Sequence, residues 1–307
     1  MASEARDTPD PPAPPRWRDI VTLTKPGITA LIVLVAVAGY FLALPPRIDP
    51  VRLGLLALTG GLASAGSAML NHYLDRDVDG GMRRTRRRPL PDARIARSGG
   101  VLVGGTGLIA IGVGGAFVWL NALTALSIAL GGLTYVVVYT LLLKRRTSWN
   151  IVIGGFAGSA PALAGGAAAI GTWNAPVLAF ALLVFLWTPP HFWSLALLLR
   201  EDYQRVGLPM LPRMDDPAYS GRVVVFSTAL LLASSGVLVL VAPFAWPAAI
   251  LVLIAGAVYL ALALPLWRRV DRPIALRAFI GSGPYLLAVI LGLIANFWLH
   301  ALGVGPI

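Results

Sequence analysis

The chain has 307 residues, none of them cysteine and only three of them histidine. A disulfide-stapled fold, a cysteine nucleophile and a thiolate-held metal are therefore excluded. So is a haem anchored through Cys-x-x-Cys-His. Charge is scarce as well: 13% of the residues are Asp, Glu, Lys or Arg, where a soluble domain carries about 25%. In their place, 57% are hydrophobic, and the mean hydropathy is +0.76. That excludes an ordinary water-soluble globule. Length alone would allow one or two domains; the apolar content argues for one domain threaded through a membrane.

Nine apolar stretches follow one another, at about 28–44, 53–72, 100–120, 122–143, 150–170, 175–199, 222–242, 245–267 and 278–301. Most reach the roughly 20 residues needed to cross about 30 Å of hydrocarbon. The first is short unless its helix begins near Thr24. Continuous apolar runs exclude the alternating pattern of a membrane β-barrel. Glycines inside them, among them Gly60, Gly104, Gly154 and Gly158, would weaken a soluble helix but let membrane helices approach closely. The expectation is an all-α polytopic bundle of about nine transmembrane helices over residues 20–307. Residues 1–19 are polar and proline-rich, with nothing to bury, and are expected to form a disordered tail.

The net charge of +11 at first suggests nucleic acid. Its distribution argues against that, because the basic residues recur between apolar spans instead of lying on a soluble domain. With the N-terminus placed in the cytoplasm, 23 of the 25 Lys and Arg fall on the cytoplasmic side, leaving Arg47 and Arg52 opposite. This is a strong positive-inside signal. Acidic residues contribute little to that rule, yet 13 of the 14 lie on the same side, Asp49 being the exception. Charge of both signs gathered on one face points to a polar site there.

The second stretch runs into LNHYLDRDVDGGMRRTRRRPL, residues 70–90. Asn71, Asp75 and Asp79 are spaced i, i+4, i+8 and share one helix face, drifting about 40° per step. Asp77 lies about 200° from Asp75 and points elsewhere. An ionised Asp costs about 2.5–3.5 kcal/mol at a membrane helix centre, and paired carboxylates repel. A divalent cation removes the repulsion. Hard oxygen ligands suit Mg²⁺, which usually takes one or two carboxylates plus substrate phosphates. A solvated helix end is the plain alternative for an arbitrary pair of aspartates. Here the pair emerges from an apolar helix and is followed by Arg83, Arg84, Arg86, Arg87 and Arg88. Arginine forks match phosphate oxygens, so the combination suits a diphosphate, with some arginines left for orientation or lipid headgroups.

Asn-x-x-x-Asp-x-x-x-Asp at the end of the second apolar stretch resembles the first signature of the UbiA superfamily of intramembrane prenyltransferases. The continuation DGGMRRTRRRPL, with YTLLLKRRTSWNIVIGGFAGSAPALAG at 139–165 and WTPPHFWSLALLLREDYQRVGLPMLP at 187–212, resembles its haem-farnesylating branch over about 20–300. The resemblance implies Mg²⁺-assisted departure of diphosphate from farnesyl diphosphate. It implies carbocation-like transfer to a vinyl group of haem b, which is substrate and not redox cofactor. It casts Asn71, Asp75 and Asp79 as catalytic, Asp75 and Asp79 as metal ligands, and Arg84, Arg88, Lys144 and Arg145 as diphosphate binders. The second superfamily signature is usually Asp-x-x-x-Asp, but Leu198 stands four residues before Asp202. Asp202 is then the candidate for a further metal contact, with Glu201 behind it. His191, Asn150, Tyr139 and Tyr203 are expected around the acceptor pocket.

Each has a plainer alternative. Lys144, Arg145 and Arg146 close a helix, where cations suit the helix C-terminus and the cytoplasmic face. A lone His is more often a satisfied core group, although an intramembrane ionisable residue is a functional candidate by default. Pro189 and Pro190, just before His191, are expected to kink their helix and free carbonyls. His72 is a weaker candidate of the same kind, and His300 is expected at a helix end. Two other functions compete: prenyl transfer to an aromatic quinone precursor, and transport. Transporters place their ligands near the bilayer midplane, whereas these carboxylates sit at helix ends. The leader lacks an Arg/Ser-rich amphipathic pattern, so a bacterial cytoplasmic (inner) membrane is expected.

Overall fold

The sequence marks its own helix starts. Asp49, Asn174, Asp216 and Asp271 each precede a proline by one or two residues. An Asx side chain that accepts from the N2 or N3 amide, followed by a proline that needs no donor, is a preferred helix entry. A computed structural model describes residues 16–95 and 97–304, and all four Asx residues act as these caps in it.

All the described elements are helical. They are α1 (Trp17–Leu23), α2 (Pro26–Leu42), α3 (Pro50–Leu74), α4 (Arg76–Gly81), α5 (Ser98–Trp119) and α6 (Ala122–Leu133), which continues as a π-helix over Thr134–Leu143. Then come α7 (Asn150–Gly154), α8 (Phe156–Ile170), α9 (Ala175–Leu198), α10 (Arg200–Arg205), α11 (Pro217–Val241), α12 (Trp246–Ala263), extended by a short 3₁₀ turn, and α13 (Arg272–Ala301). Among the described residues eight spans are long and apolar enough to cross a membrane, and nine if α1 and α2, bent by 45° at Thr24–Lys25, count as one. The short first stretch is thus half of a broken span.

Residues 1–15 of the expected tail lie outside the described residues. Its proposed end at 19 differs from the structure: Trp17–Asp19 are helical. Asp19 is buried and ion-paired to Arg94, which fixes α1 against the loop after α4. α9 continues through Pro189 and Pro190, whose missing N–H groups leave the Phe185 and Leu186 carbonyls without their usual backbone donors. Ser194 donates to the Pro190 carbonyl at 2.7 Å.

α3 packs along α5, α2 along α8, α9 along α11, and α12 along α13. Small residues make the closest of these crossings possible. A Cβ on Gly165 would stand 1.9 Å from the Ala36 carbonyl oxygen, and one on Gly39 2.4 Å from that of Ala162. Large apolar side chains point outward instead: Val103, Val118 and Leu240 are all more than 70% exposed, which suits a lipid surround. α2, α3, α6, α8 and α9 enclose a central cavity. Gly165→Val is expected to abolish recovery of folded protein from detergent extracts, because the α2–α8 crossing cannot separate locally. Gly107→Ala, which meets open space, should give wild-type yield by size-exclusion chromatography.

Candidate active site

α3 ends at Leu74, and Asp75 stands at the junction with α4. The chain bends there without losing helical register, since the Asp79 amide still donates to the Asp75 carbonyl at 2.8 Å. Asn71, Asp75 and Asp79 are all buried, at 3%, 1% and 3% exposure. Ionised carboxylates tolerate that only when paired and hydrogen-bonded. Asp75 Oδ2 accepts from Lys144 Nζ at 2.5 Å and from Asn71 Nδ2 at 2.7 Å. Asp79 Oδ2 accepts from Arg88 Nη1 at 2.7 Å. Asp75 Oδ1 is buried with no donor.

Asn71 is the hub. Its Oδ1 accepts from Lys25 Nζ at 2.6 Å, and its Nδ2 also donates to Thr140 Oγ1 at 3.1 Å. Lys25 reaches the Tyr135 hydroxyl at 3.1 Å. Lys25 itself sits in the break between α1 and α2 with φ 47° and ψ 62°, a left-handed conformation that non-glycine residues seldom adopt and that clusters at functional sites.

The π-helix explains how Tyr135, Tyr139, Thr140 and Lys144 reach one place. In an α-helix Lys144 would point about 180° away from Tyr135. A π-helix bonds i to i+5 and turns once in roughly 4.4 residues, so residues i, i+4, i+5 and i+9 share a face. The Lys144 amide donates to the Tyr139 carbonyl at 2.8 Å. The Tyr135 and Tyr139 rings stack at 5.9 Å, and Lys144 Nζ lies 5.9 Å from the Tyr139 ring centre.

Below this polar head lies an apolar cavity of about 260 Å³, bounded at the head by Lys25, Tyr135 and Tyr139. His191 lines it together with Trp187 and Phe192. The His191 ring stacks on Trp187 at 4.4 Å, and its Nδ1 is 2.6 Å from Ser282 Oγ.

Other residues lie apart from this arrangement. Arg145, expected on the diphosphate, instead grips Asp77 with two bonds of 2.7 Å and donates to the Leu74 carbonyl. Lys144 and Arg145 are adjacent, so the helix sends one into the site and the other to the surface. Asn150, expected in the pocket, spends its amide on the Thr147 and Pro209 carbonyls at 2.6 and 3.1 Å and ties two loops together. Asp202 is paired with Arg205 at 3.1 Å. Among the described residues no three Asp, Glu or His side chains converge as a metal site. Burial raises the Tyr203 hydroxyl above its ordinary pKa, and the nearby Arg84 opposes that rise. Lys25, Tyr135 and Thr140 carried no spacing signal. A cation just before Pro26 at the edge of an apolar run was the only hint of Lys25.

The donor set fits Mg²⁺. It offers buried carboxylate oxygens, one of them without a partner. With two carboxylates from the protein, the remaining positions would fall to phosphate oxygens and water, which is usual for this ion.

The model of the UbiA prenyltransferase family matches residues 32–283. The chain belongs to that family and is a multi-pass membrane prenyltransferase. Within it, the chain is 43% identical over 220 residues to the protoheme IX farnesyltransferase of Alkalilimnicola ehrlichii, covering 71% of this chain and 72% of that one. It is 40% identical over 291 residues to protoheme IX farnesyltransferase 1 of Paramagnetospirillum magneticum, covering 91% and 98%. Its fold matches the structure of a UbiA homolog from Archaeoglobus fulgidus bound to GPP and Mg²⁺, with a TM-score of 0.71 at 16% identity, covering 90% and 99%.

The neighbouring cations Lys144 and Arg145 should behave differently. Asp77 and Arg145 are solvent-exposed, and Arg145→Gln should cost less than about 1 kcal/mol. Lys144→Met strands a buried carboxylate, a loss of roughly 3–5 kcal/mol, and should lower the melting temperature in detergent several times more. The hydrogen bond from Arg145 holds the Asp77 carboxyl below its ordinary pKa. The Arg145 contribution is therefore full above about pH 3.9 and is lost as the pH falls through the lowered folded value. The difference between wild type and Arg145→Gln should close in acid.

Proposed function

We propose that the chain transfers the farnesyl group of farnesyl diphosphate to a vinyl group of protohaem IX, and that it does so at the cytoplasmic face of a bacterial inner membrane. The observation that carries this is the buried Asn71–Asp75–Asp79 cluster, ringed by Lys25, Arg88 and Lys144, at the head of an apolar cavity. A charged head and a long apolar tail match those two environments. The names of the relatives favour haem over a quinone precursor as acceptor. The gathering of charge at helix ends favours an enzyme over a transporter.

Diphosphate binding needs cations that can be given up. Lys144 and Arg88 hold Asp75 and Asp79 and can turn to phosphate oxygens, while Lys25 and Arg84 add charge from the break between α1 and α2 and from the loop after α4. Asp75 and Asp79 would hold Mg²⁺, which when bound supplies Lewis-acid stabilisation of the charge on the departing diphosphate. Fixed cations in a site that excludes water are worth more than in bulk solvent. As the bond from carbon to the diphosphate oxygen breaks, the allylic farnesyl fragment becomes cationic. The stacked rings of Tyr135 and Tyr139, next to the head, offer π-faces that attract cations. The vinyl group then supplies the electron pair of the new carbon–carbon bond, which leaves the cation on its other carbon; water adds there and loses a proton, giving the hydroxyl that completes the substituent. Trp187 and His191 line the cavity where an acceptor would sit, with Ser282 fixing the imidazole. Arg145 acts indirectly by holding α4 through Asp77, and Asn150 by holding the loop at 209.

Purified protein given haem b, farnesyl diphosphate and Mg²⁺ should produce haem O, identified by mass. Asp75→Ala and Asp79→Ala should each lower turnover by about 10²-fold or more, the scale on which removal of a transition-state charge stabiliser acts, with membrane insertion retained. Normal turnover in both would remove their assigned role.

A further inference from the structure

Three of the described residues other than glycine have a positive φ, and two of them lie near the partners of a single ion pair in sequence. Ala93, at φ 54°, immediately precedes Arg94, and Lys25, at φ 47°, follows Asp19 by six residues. Asp19 and Arg94 are paired with each other. A left-handed conformation is strained for a residue with a side chain and persists only where the surroundings hold it. The Arg94 guanidinium supplies that hold through three bonds. Nη1 donates to Asp19 on α1, Nη2 donates to the Arg87 carbonyl at 2.7 Å, and Nε donates to Asp92 at 3.1 Å. Arg87 is the residue before Arg88, which donates to Asp79 at 2.7 Å.

Two segments that deliver cations to the site therefore meet at one side chain. α1 runs into Lys25, which donates to Asn71, and the loop after α4 carries Arg88, which donates to Asp79. Asn71 and Asp79 are the two ends of the cluster. α1 has a second anchor in Leu23, which is buried with Met69, Leu90, Ile95 and Val101. Asp19 and Leu23 are one helical turn apart, so the two anchors together fix both the position and the rotation of α1. The bonds of Arg94 go to none of the three cluster residues, and it does not line the cavity. Its action on the site runs through Lys25 and Arg88.

We propose that Arg94 is a positioning residue for diphosphate binding: by tying α1 to the arginine-rich loop it sets the spacing between Lys25 and Arg88. This rests on the reading of the Asn71–Asp75–Asp79 cluster as the diphosphate site. A lysine at position 94 keeps a charge for Asp19 but lacks the planar fork that reaches the Arg87 carbonyl at the same time. Asp19→Asn breaks the ion pair and makes the protein more positive. Attraction by charge alone would then tighten diphosphate binding, whereas loss of positioning weakens it.

The test compares wild type, Arg94→Gln, Arg94→Lys and Asp19→Asn in Mg²⁺. Two readouts are used: kcat and the KM of each substrate in haem b farnesylation, and the rise in melting temperature caused by inorganic pyrophosphate or farnesyl diphosphate. The second needs no acceptor. Arg94→Gln should raise the KM for farnesyl diphosphate roughly tenfold, with kcat changed less than about threefold and the KM for haem b unchanged. Asp19→Asn should raise the same KM, and Arg94→Lys should raise it less than Arg94→Gln. The rise in melting temperature should shrink in the same variants. Arg94→Gln strands a buried carboxylate, so the double variant Asp19→Asn/Arg94→Gln carries the comparison where the single one does not fold. An unchanged KM in Arg94→Gln, or a lower one in Asp19→Asn, would overturn the proposal. So would equal rises in both KM values or a loss confined to kcat, which mark a tie that serves stability alone. Diphosphate binding that persists in folded Asp75→Ala would remove the diphosphate site, and the proposal with it. Binding lost in Asp75→Ala but intact in the Arg94 and Asp19 variants would remove the role of Arg94 alone.

Discussion

A carboxylate held at 1% exposure in a membrane bundle is the constraint on which the rest of the site depends. The Asp75 carboxyl group is accommodated there by Lys144 and Asn71, which both donate to it. Those two donors in turn fix their own neighbours. Lys144 requires the end of the π-helix to face α3. Asn71 requires Lys25 on one side and Thr140 on the other. A left-handed residue in a broken first span and an extended π-helix are both costly local choices. Each is made at an element that delivers a side chain to this cluster. The same cations that make the buried carboxylates tolerable have the chemistry to receive phosphate, so the resting arrangement already contains the binding groups.

The remainder of the molecule separates two environments. Charge collects at one end of the helices. The cavity below it is lined largely by small and apolar groups, with Ala, Gly and Ser on α3 and α8 leaving the space open. Outward faces carry the large aliphatic side chains. The close α2–α8 crossing at Gly39 and Gly165 draws two of the cavity walls together, and beside it Tyr40 and Leu56 meet Ala164.

The spans were legible because continuous apolar runs of about 20 residues have few other uses. The asparagine and two aspartates could be read because they share one helix face at a spacing the α-helix dictates. What escaped was non-local or non-α. Tyr135 and Thr140 join the site through a π-helix, and the ordinary helical period places Tyr135 and Lys144 on opposite faces. Lys25 enters from a different span, 46 residues away from the asparagine it contacts. Arg145 looked equivalent to Lys144 in sequence, but one residue of rotation sends it to Asp77. Asp19 looked like part of a polar tail, and its partner Arg94 lies 75 residues on. Asn150 was placed in the pocket by resemblance, while its buried amide serves two loop carbonyls.

The π-helix over Thr134–Leu143 has a consequence for how this segment tolerates change in length. Removing one residue from it would let the backbone relax into the commoner α geometry and swing everything beyond by about a quarter turn. Lys144 would turn away from Asp75, and the apolar Leu143 would lie nearest its former bearing. Substitutions of one apolar residue for another on the lipid side leave that phase intact. Indels do not, so the ten-residue count of this stretch is as much a part of the active site as the side chains it carries.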